Sequence, residues 1–363
     1  MNYRELAIVL IYLGKDVPKY VILNANRIAE IFDFDVYLFT DSFAALPDTV
    51  NINQKLKVRA IEKSSNELES KLSHDRRFRE GFWLHTFHRL LLLKRIHQDL
   101  GTNKRILHVE ADMLIMPSFP FESALRENLK WCRYDQESDV ASLVYLPSFS
   151  ESEWLHEKVI EELDKDSYVT DMSVLRRIRQ QYPARIEVFN DIFSNSEQEH
   201  HDDIFDGLGL GMWICGTDPR NTYGAQLIHE NSDYKPDGDK TLGDLLSKVE
   251  FSVENGKITC DINGQLKFIH SLHIHSKDEK LFYYQNIEDL EKYLVLARNR
   301  LVILMSFRLS ILRGLLRENY RHKTLLPYCR MFIKFLFRRE GSGKYRSSLI
   351  LKSLLRRDES FHA

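Results

Sequence analysis

Two acidic residues pose the first chemical question. In the stretch ILHVEADMLIMPSF (106–119), Glu110 and Asp112 interrupt an apolar run with the small Ala111 between them. Carboxylates in such a setting are costly unless something compensates them. Side chains at i and i+2 of a strand point to the same side, so at a strand end the two converge on one cation. Oxygen donors suit Mg²⁺ or Mn²⁺, which bind diphosphate oxygens at the same time. The plain alternative is a solvated strand end with two incidental acids. Far downstream, FIHSLHIHSK (268–277) puts His270, His273 and His275 on one expected strand. Alternation sets His273 and His275 on one face and His270 on the other, where a structural role is expected. Ordinary hydrogen-bonded histidines are the plain reading of such a strand.

Two aspartates are candidates for proton transfer, the work of a carboxylate base. Asp206 precedes Gly207, Gly209 and Gly211, a run that lets backbone approach a ligand closely. Asp171, in YVTDMSVL (168–175), is its rival, although Thr170 or Asp171 equally serves to cap a helix over 172–180. GLGLG departs from the GxGxxG spacing of a dinucleotide loop, and no strand is expected directly before it. No GxxxxGK[ST] segment occurs, which argues against a P-loop ATPase. QEHHDD (198–203) reads as a solvated loop, with His200 and His201 as fallback ligands. Asp218-Pro219-Arg220 reads as a turn, with Arg220 either a phosphate contact or a surface arginine.

The elements that must position these groups follow from hydrophobic patterning. LAIVLIYL (6–13) is a continuous apolar run, as expected of a strand covered on both faces rather than of a leader peptide. Gly14 to Pro18 turn the chain, and Tyr20–Phe32 repeats at helical spacing. VYLFTD (36–41) is a second strand, so the opening forms a right-handed parallel crossover. Ligands of such sheets sit beyond the carboxyl ends of the strands, where Tyr12, Gly14 and Asp41 lie. Residues 82–100 form a helix with a wide apolar face, 105–109 a strand, 140–147 a strand and 151–164 a helix. Between 250 and 275 the texture changes, and two Asn-Gly pairs signal hairpins. The fold class is α/β, a Rossmann-type mixed sheet with flanking helices followed by a β section.

These segments together resemble GT-A-fold glycosyltransferases. Glu110-Ala111-Asp112 resembles the family's DxD motif, with Glu in place of the first Asp. AIVLIYLGKDVPKYVILNANRIAEIF and VYLFTDS resemble its nucleotide-binding half. IFDGLGLGMWICGTDPRN (204–221) and LHIHSK (272–277) resemble segments of bacterial polysaccharide-type members. The likeness covers roughly residues 6–280 and implies a divalent metal, Mn²⁺ or Mg²⁺, and a nucleotide-diphosphate-sugar donor. It implies metal ligation by Glu110 and Asp112, completed by His275 or His273, with His275 favoured for its place beside Ser276-Lys277. The Glu leaves open whether residue 110 binds metal or the donor's ribose. Lys277 is the implied cation for the leaving diphosphate. Asp206 or Asp171 is the implied catalytic acid–base group. Trp83 and Arg89 fall where relatives place residues under the nucleotide. Arg89 is expected to pair with Asp112 or Asp41, and Tyr12 to stack on the base. For Phe82, Trp83 and Phe87, an aromatic core face suffices.

Composition sets further bounds. The net charge of −2 hides an asymmetry: residues 295–363 carry 16 Lys and Arg against 4 Asp and Glu, and residues 1–294 carry 35 against 49. Four scattered cysteines, without a CxxC pair, argue against a disulfide framework or structural zinc site and fit a reducing compartment. No run approaches the roughly 18 uncharged apolar residues of a spanning helix. We divide the chain into a catalytic domain (1–290) and a basic amphipathic helical region (291–363). In the latter, Asn299, Ser306, Ser310, Arg313, Arg317 and Arg321 draw one polar stripe on a helix. Such a helix suits the headgroup layer of an anionic membrane, or else packing onto the catalytic domain or a partner chain. Its Leu, Ile and Phe content argues against nucleic acid. The expectation is a cytoplasmic enzyme, peripheral at the inner membrane face, that passes sugar to a glycan or lipid-linked acceptor in surface polysaccharide synthesis. Two alternatives are a nucleotide-sugar hydrolase or nucleotidyltransferase, and a non-catalytic membrane-associated adaptor on the same fold.

Overall fold

A computed structural model describes residues 5–41, 45–47, 50–61, 71–73, 81–135, 138–191, 202–216, 218, 249–254, 257–262, 264–277 and 279–283. The basic region 291–363, His200, His201 and Arg220 lie outside the described residues. Strand β1 (Leu6–Tyr12) leads into helix α1 (Lys19–Ile31) and then β2 (Asp35–Asp41), the parallel crossover expected from the sequence. β3 (Leu56–Ile61), α2 (Phe82–Leu100) and β4 (Arg105–Val109) follow. Next come β5 (Met113–Ile115), the short α3 (Phe121–Ala124), β6 (Leu129–Arg133), β7 (Asp139–Leu146), α4 (Phe149–Lys165), α5 (Asp171–Gln181) and β8 (Ile186–Phe189).

Seven of these strands form a mixed sheet in the order β3-β2-β1-β4-β7-β6-β8. β3, β2, β1 and β4 run parallel, whereas β7 lies antiparallel to β4 and to β6. β1 shows why its run lacks alternation. Ala7, Val9 and Ile11 enter one core with Phe87, Leu91 and Leu175, while Leu6, Ile8 and Leu10 enter another with Val21, Ile22 and Ile28. Helices cover both faces, so both parities are apolar. α5 is fixed by a capping box in which Thr170, not Asp171, is the cap, paired reciprocally with Ser173. Within the core, Asp139 is fully buried. It accepts from Arg179 Nε at 2.6 Å, Arg179 Nη2 at 2.8 Å and Trp131 Nε1 at 2.8 Å.

A second sheet is built from β9 (Asp203–Phe205), β10 (Glu250–Glu254), β11 (Lys257–Ile262), β12 (Gln265–His273) and β5. Two-residue connections lie between Glu254 and Lys257 and between Ile262 and Gln265, where the Asn-Gly pairs fall. β12 pairs antiparallel with β11 and β5 and parallel with β9. Helices α6 (Gly209–Cys215) and α7 (Glu279–Tyr283) complete this part, with Leu210, Ile214, Leu272, Ile274 and Phe282 in its own core. β9 is one departure from expectation, because a short strand does precede the glycine-rich segment. The expected solvated loop at 198–203 also ends inside β9, where Asp203 meets His270 Nε2 at 2.7 Å. No helix among the described residues is long and apolar enough to cross a membrane.

Candidate metal and anion site

The acidic pair sits where the chain changes sheets. β4 ends at Val109, β5 begins at Met113, and residues 110–112 form the turn between them, not a strand end. Convergence of the two carboxylates is therefore a property of the turn. Its backbone is anchored on three sides. Glu110 N–H donates to the Ser142 carbonyl at 2.9 Å, Met113 N–H to that of Glu110 at 2.9 Å, and Ile274 N–H to that of Asp112 at 2.8 Å. From α1, Asn24 Nδ2 donates to the carbonyls of Ala111 (3.1 Å) and Met113 (2.8 Å), and Arg27 Nη1 to that of Ile115 (2.6 Å). Both side chains are buried, and burial lowers the Arg27 guanidinium to about 10. Sequence reasoning missed these two. The signal was present, because Asn24 falls at helical spacing between Val21 and Ile28 on the apolar stripe.

His273 ends β12 directly opposite, and its orientation is settled by one bond. Nδ1 lies 2.8 Å from the Gly207 carbonyl, which can only accept, so Nδ1 carries a proton and Nε2 turns to the acids. Nε2 is 3.4 Å from Asp112 Oδ2 and 3.7 Å from Glu110 Oε2. Ligand atoms of Glu110, Asp112 and His273 all lie within 4.8 Å of one another. An ion held at about 2.1 Å by each of two donors spans up to about 4.2 Å between them, so these two separations fit a shared ion. Two carboxylate oxygens and one imidazole nitrogen form a donor set suited to Mn²⁺. A carbonyl on the remote imidazole nitrogen is the outer support that such a ligand needs.

Asp206 supplies the frame beneath His273. Its Oδ1 accepts from Leu210 N–H (2.9 Å), and its Oδ2 accepts from Gly211 N–H (2.6 Å) and His273 N–H (2.9 Å). One buried carboxylate thereby ties the first turn of α6 to the end of β12. Burial pushes its carboxyl up, while the amide donors and the His273 charge oppose that rise. Gly211 is obligatory for this contact: a Cβ there would meet the His273 carbonyl oxygen at 2.1 Å.

Cations neutralise the acids. Arg89 of α2 reaches Glu110 Oε1 at 2.6 Å, so the partner of Arg89 is Glu110 rather than the expected Asp112 or Asp41. Burial works against the Arg89 charge, but Glu110, Asp171 and Asp112 outweigh it and hold the guanidinium above its usual range. Lys277 Nζ lies 2.8 Å from Asp112 Oδ2 and 3.4 Å from Asp218 Oδ2. Lys277 also has a left-handed backbone, φ 53°, a conformation that costs a side-chain-bearing residue energy. For Asp112, burial alone would raise the carboxyl. Lys277 and His273 outweigh that and hold it well below the carboxylate range. Burial disfavours the His273 imidazolium, yet Asp112 and Glu110 raise it to about 9, so Nε2 also carries a proton that a bound ion would displace.

The remaining candidates separate clearly. His275 was favoured as the ligand, but β12 stops at His273 and the chain turns, which ends the alternation that put both on one face. His275 Nδ1 instead accepts the Asp218 N–H at 3.1 Å. Burial, with the Lys277 and His273 charges adding, depresses it to about 3. His275 therefore stays neutral, outside the triad of converging ligand atoms. Asp171 is buried at the first turn of α5. Burial lifts its carboxyl to about 6, with Arg89 opposing and Glu110 adding, and Thr86 hydrogen-bonds it. Tyr12 and Asp41 end β1 and β2, on the edge of the parallel strands at which β4 delivers Glu110. His270 is held between Asp203 and Ser118 Oγ (3.3 Å), away from the triad. No protein-family model matches this chain, and a search of curated proteins finds no match.

Proposed function

We propose that this chain is a metal-dependent glycosyltransferase of GT-A type. It moves a sugar from a nucleotide-diphosphate donor to a glycan or lipid-linked acceptor. The observation that carries the reading is the meeting of Glu110, Asp112 and His273 at the carboxyl edge of parallel strands, with Arg89 and Lys277 beside them. Glu110 Oε2, Asp112 Oδ2 and His273 Nε2 would hold Mn²⁺ or Mg²⁺, which supplies Lewis-acid stabilisation of a departing diphosphate. Arg89 orients Glu110, and Lys277 offers a positive charge to phosphate oxygens. Asp206, with both oxygens committed to backbone amides, acts through His273 as a positioning residue. Asp171, its carboxyl lifted to about 6 beside Arg89 and Glu110, fits proton acceptance from an acceptor hydroxyl better.

A thermal-shift screen of UDP-, GDP-, CMP- and dTDP-sugars, with and without Mn²⁺, tests this reading. One donor should stabilise the protein in a Mn²⁺-dependent way in wild type and not in Asp112→Asn. Failure of every donor overturns the assignment, and donor turnover without any acceptor assigns a hydrolase instead. The excess of 16 basic over 4 acidic residues in 295–363 supports attachment to an anionic membrane surface. Salt-sensitive cosedimentation of the full chain with phosphatidylglycerol vesicles, absent with neutral vesicles, would bear that out.

A further inference from the structure

The contacts of one oxygen atom raise a question about how the site is loaded. Asp112 Oδ2 is the atom nearest His273 Nε2, at 3.4 Å, and is thus the oxygen a shared ion would use. The same oxygen is held by Lys277 Nζ at 2.8 Å. Lys277 is poorly exposed, with 17% of its side chain accessible, and its second partner, Asp218 Oδ2, is farther off at 3.4 Å. Its backbone is left-handed in the turn that follows β12. Glu110 differs, because Arg89 takes Oε1 and leaves Oε2 toward the histidine.

We infer that Lys277 is a built-in competitor for the metal site, so that a divalent cation and a diphosphate anion load together and each strengthens the other. This rests on the metal-site reading above. A bare cation must pull Asp112 Oδ2 away from an ammonium that then loses its nearer counter-charge in a largely buried position. A diphosphate arriving with the cation gives the released ammonium new oxygens to bind, which removes that cost. The coupling is reciprocal by thermodynamic linkage: the factor by which the anion tightens the cation equals that by which the cation tightens the anion. A charge-assisted hydrogen bond contributes about 1.5 kcal/mol or more. That sets the expected coupling at about tenfold or above.

The test uses the full chain and reads Mn²⁺ binding by the electron paramagnetic resonance signal of free Mn²⁺. Measurements are made alone, with inorganic pyrophosphate, and with UDP and GDP, which separates a bare diphosphate from a nucleotide. Wild type should bind Mn²⁺ weakly alone and about tenfold or more tightly with a diphosphate. Lys277→Met and Lys277→Gln should bind Mn²⁺ alone about tenfold more tightly than wild type, with the diphosphate effect reduced about tenfold from its wild-type value to what direct contact between ion and diphosphate supplies. Two substitutions, each checked by circular dichroism, guard against a single misfolded variant. Should both fold and leave Mn²⁺ affinity and coupling as in wild type, the competition is refuted while the metal site stands. Should wild type take up no Mn²⁺ in any condition, or Asp112→Asn take it up equally well, the metal-site reading falls and this inference falls with it.

Discussion

Gly211→Ala puts the frame beneath His273 to a quantitative test. An added Cβ at this position would sit 2.1 Å from the His273 carbonyl oxygen, 2.7 Å from its carbon and 2.8 Å from Asp206 Oδ2. Two of those three atoms are backbone of β12, so no side-chain rotation relieves the overlap. Either the start of α6 lifts off β12 or the strand end moves. Forcing one methyl into a packed site costs about 1–3 kcal/mol. Weakening the 2.6 Å bond from Gly211 N–H to Asp206 adds about 1.5–3 kcal/mol, because the acceptor is charged. A loss near 4 kcal/mol lowers the melting temperature by roughly 10 °C for a domain of this size. With His273 displaced, Mn²⁺ affinity should fall by about 10–100-fold, the usual penalty for disturbing a ligand's support. Gly264→Ala is the internal control. It has φ 82° and no atom within 4 Å of the added Cβ, so it carries backbone strain of about 1–2 kcal/mol without a clash. Calorimetry and Mn²⁺ titration of both variants decide the matter. A Gly211→Ala protein that melts with wild type and binds Mn²⁺ normally would refute the argument from close approach.

Other expectations are narrower. His273→Gln should abolish Mn²⁺ binding while His275→Gln retains it, and the reverse pattern in titration calorimetry would reinstate His275. Arg179→Met leaves the fully buried Asp139 with Trp131 alone, a loss of about 3–5 kcal/mol measurable by urea unfolding, with Mn²⁺ affinity unchanged. His97 is buried between Ser152 Oγ (2.5 Å) and the Lys104 carbonyl (2.8 Å), and burial lowers it below its ordinary 6.5. The unfolded chain therefore takes up this proton first, so stability is full above pH 6.5 and declines as pH falls below it. His97→Gln should flatten that part of the pH–stability curve.

Some of this was open to reading in the chain alone. The run at 6–13 and the helical spacing that follows announce a parallel crossover, because a strand covered twice must be apolar at both parities. Helix 82–100 and strand 105–109 have the limits expected of them. Asn-Gly pairs mark the β10–β12 meander because few other dipeptides accept the turn they require. What was hidden depended on tertiary contacts. Nothing local says that residues 110–112 turn between sheets, or that β5 pairs with a strand some 160 residues away. Strand periodicity linked His275 to His273, but the strand ends before alternation can act. The sequence offered Arg89 two acids, Asp112 and Asp41, and only the packing of α2 gives it Glu110 instead.

The turn that carries the acids is also the corner at which the chain passes from one sheet to the other. Asp112 and His273 face each other across that seam, bound already through the Ile274 amide. Anything that grips both sides works as a rivet between two separately built layers. An ion bound there should therefore protect the β10–β12 meander from proteases, and a chelator should loosen the meander before the seven-stranded sheet gives way.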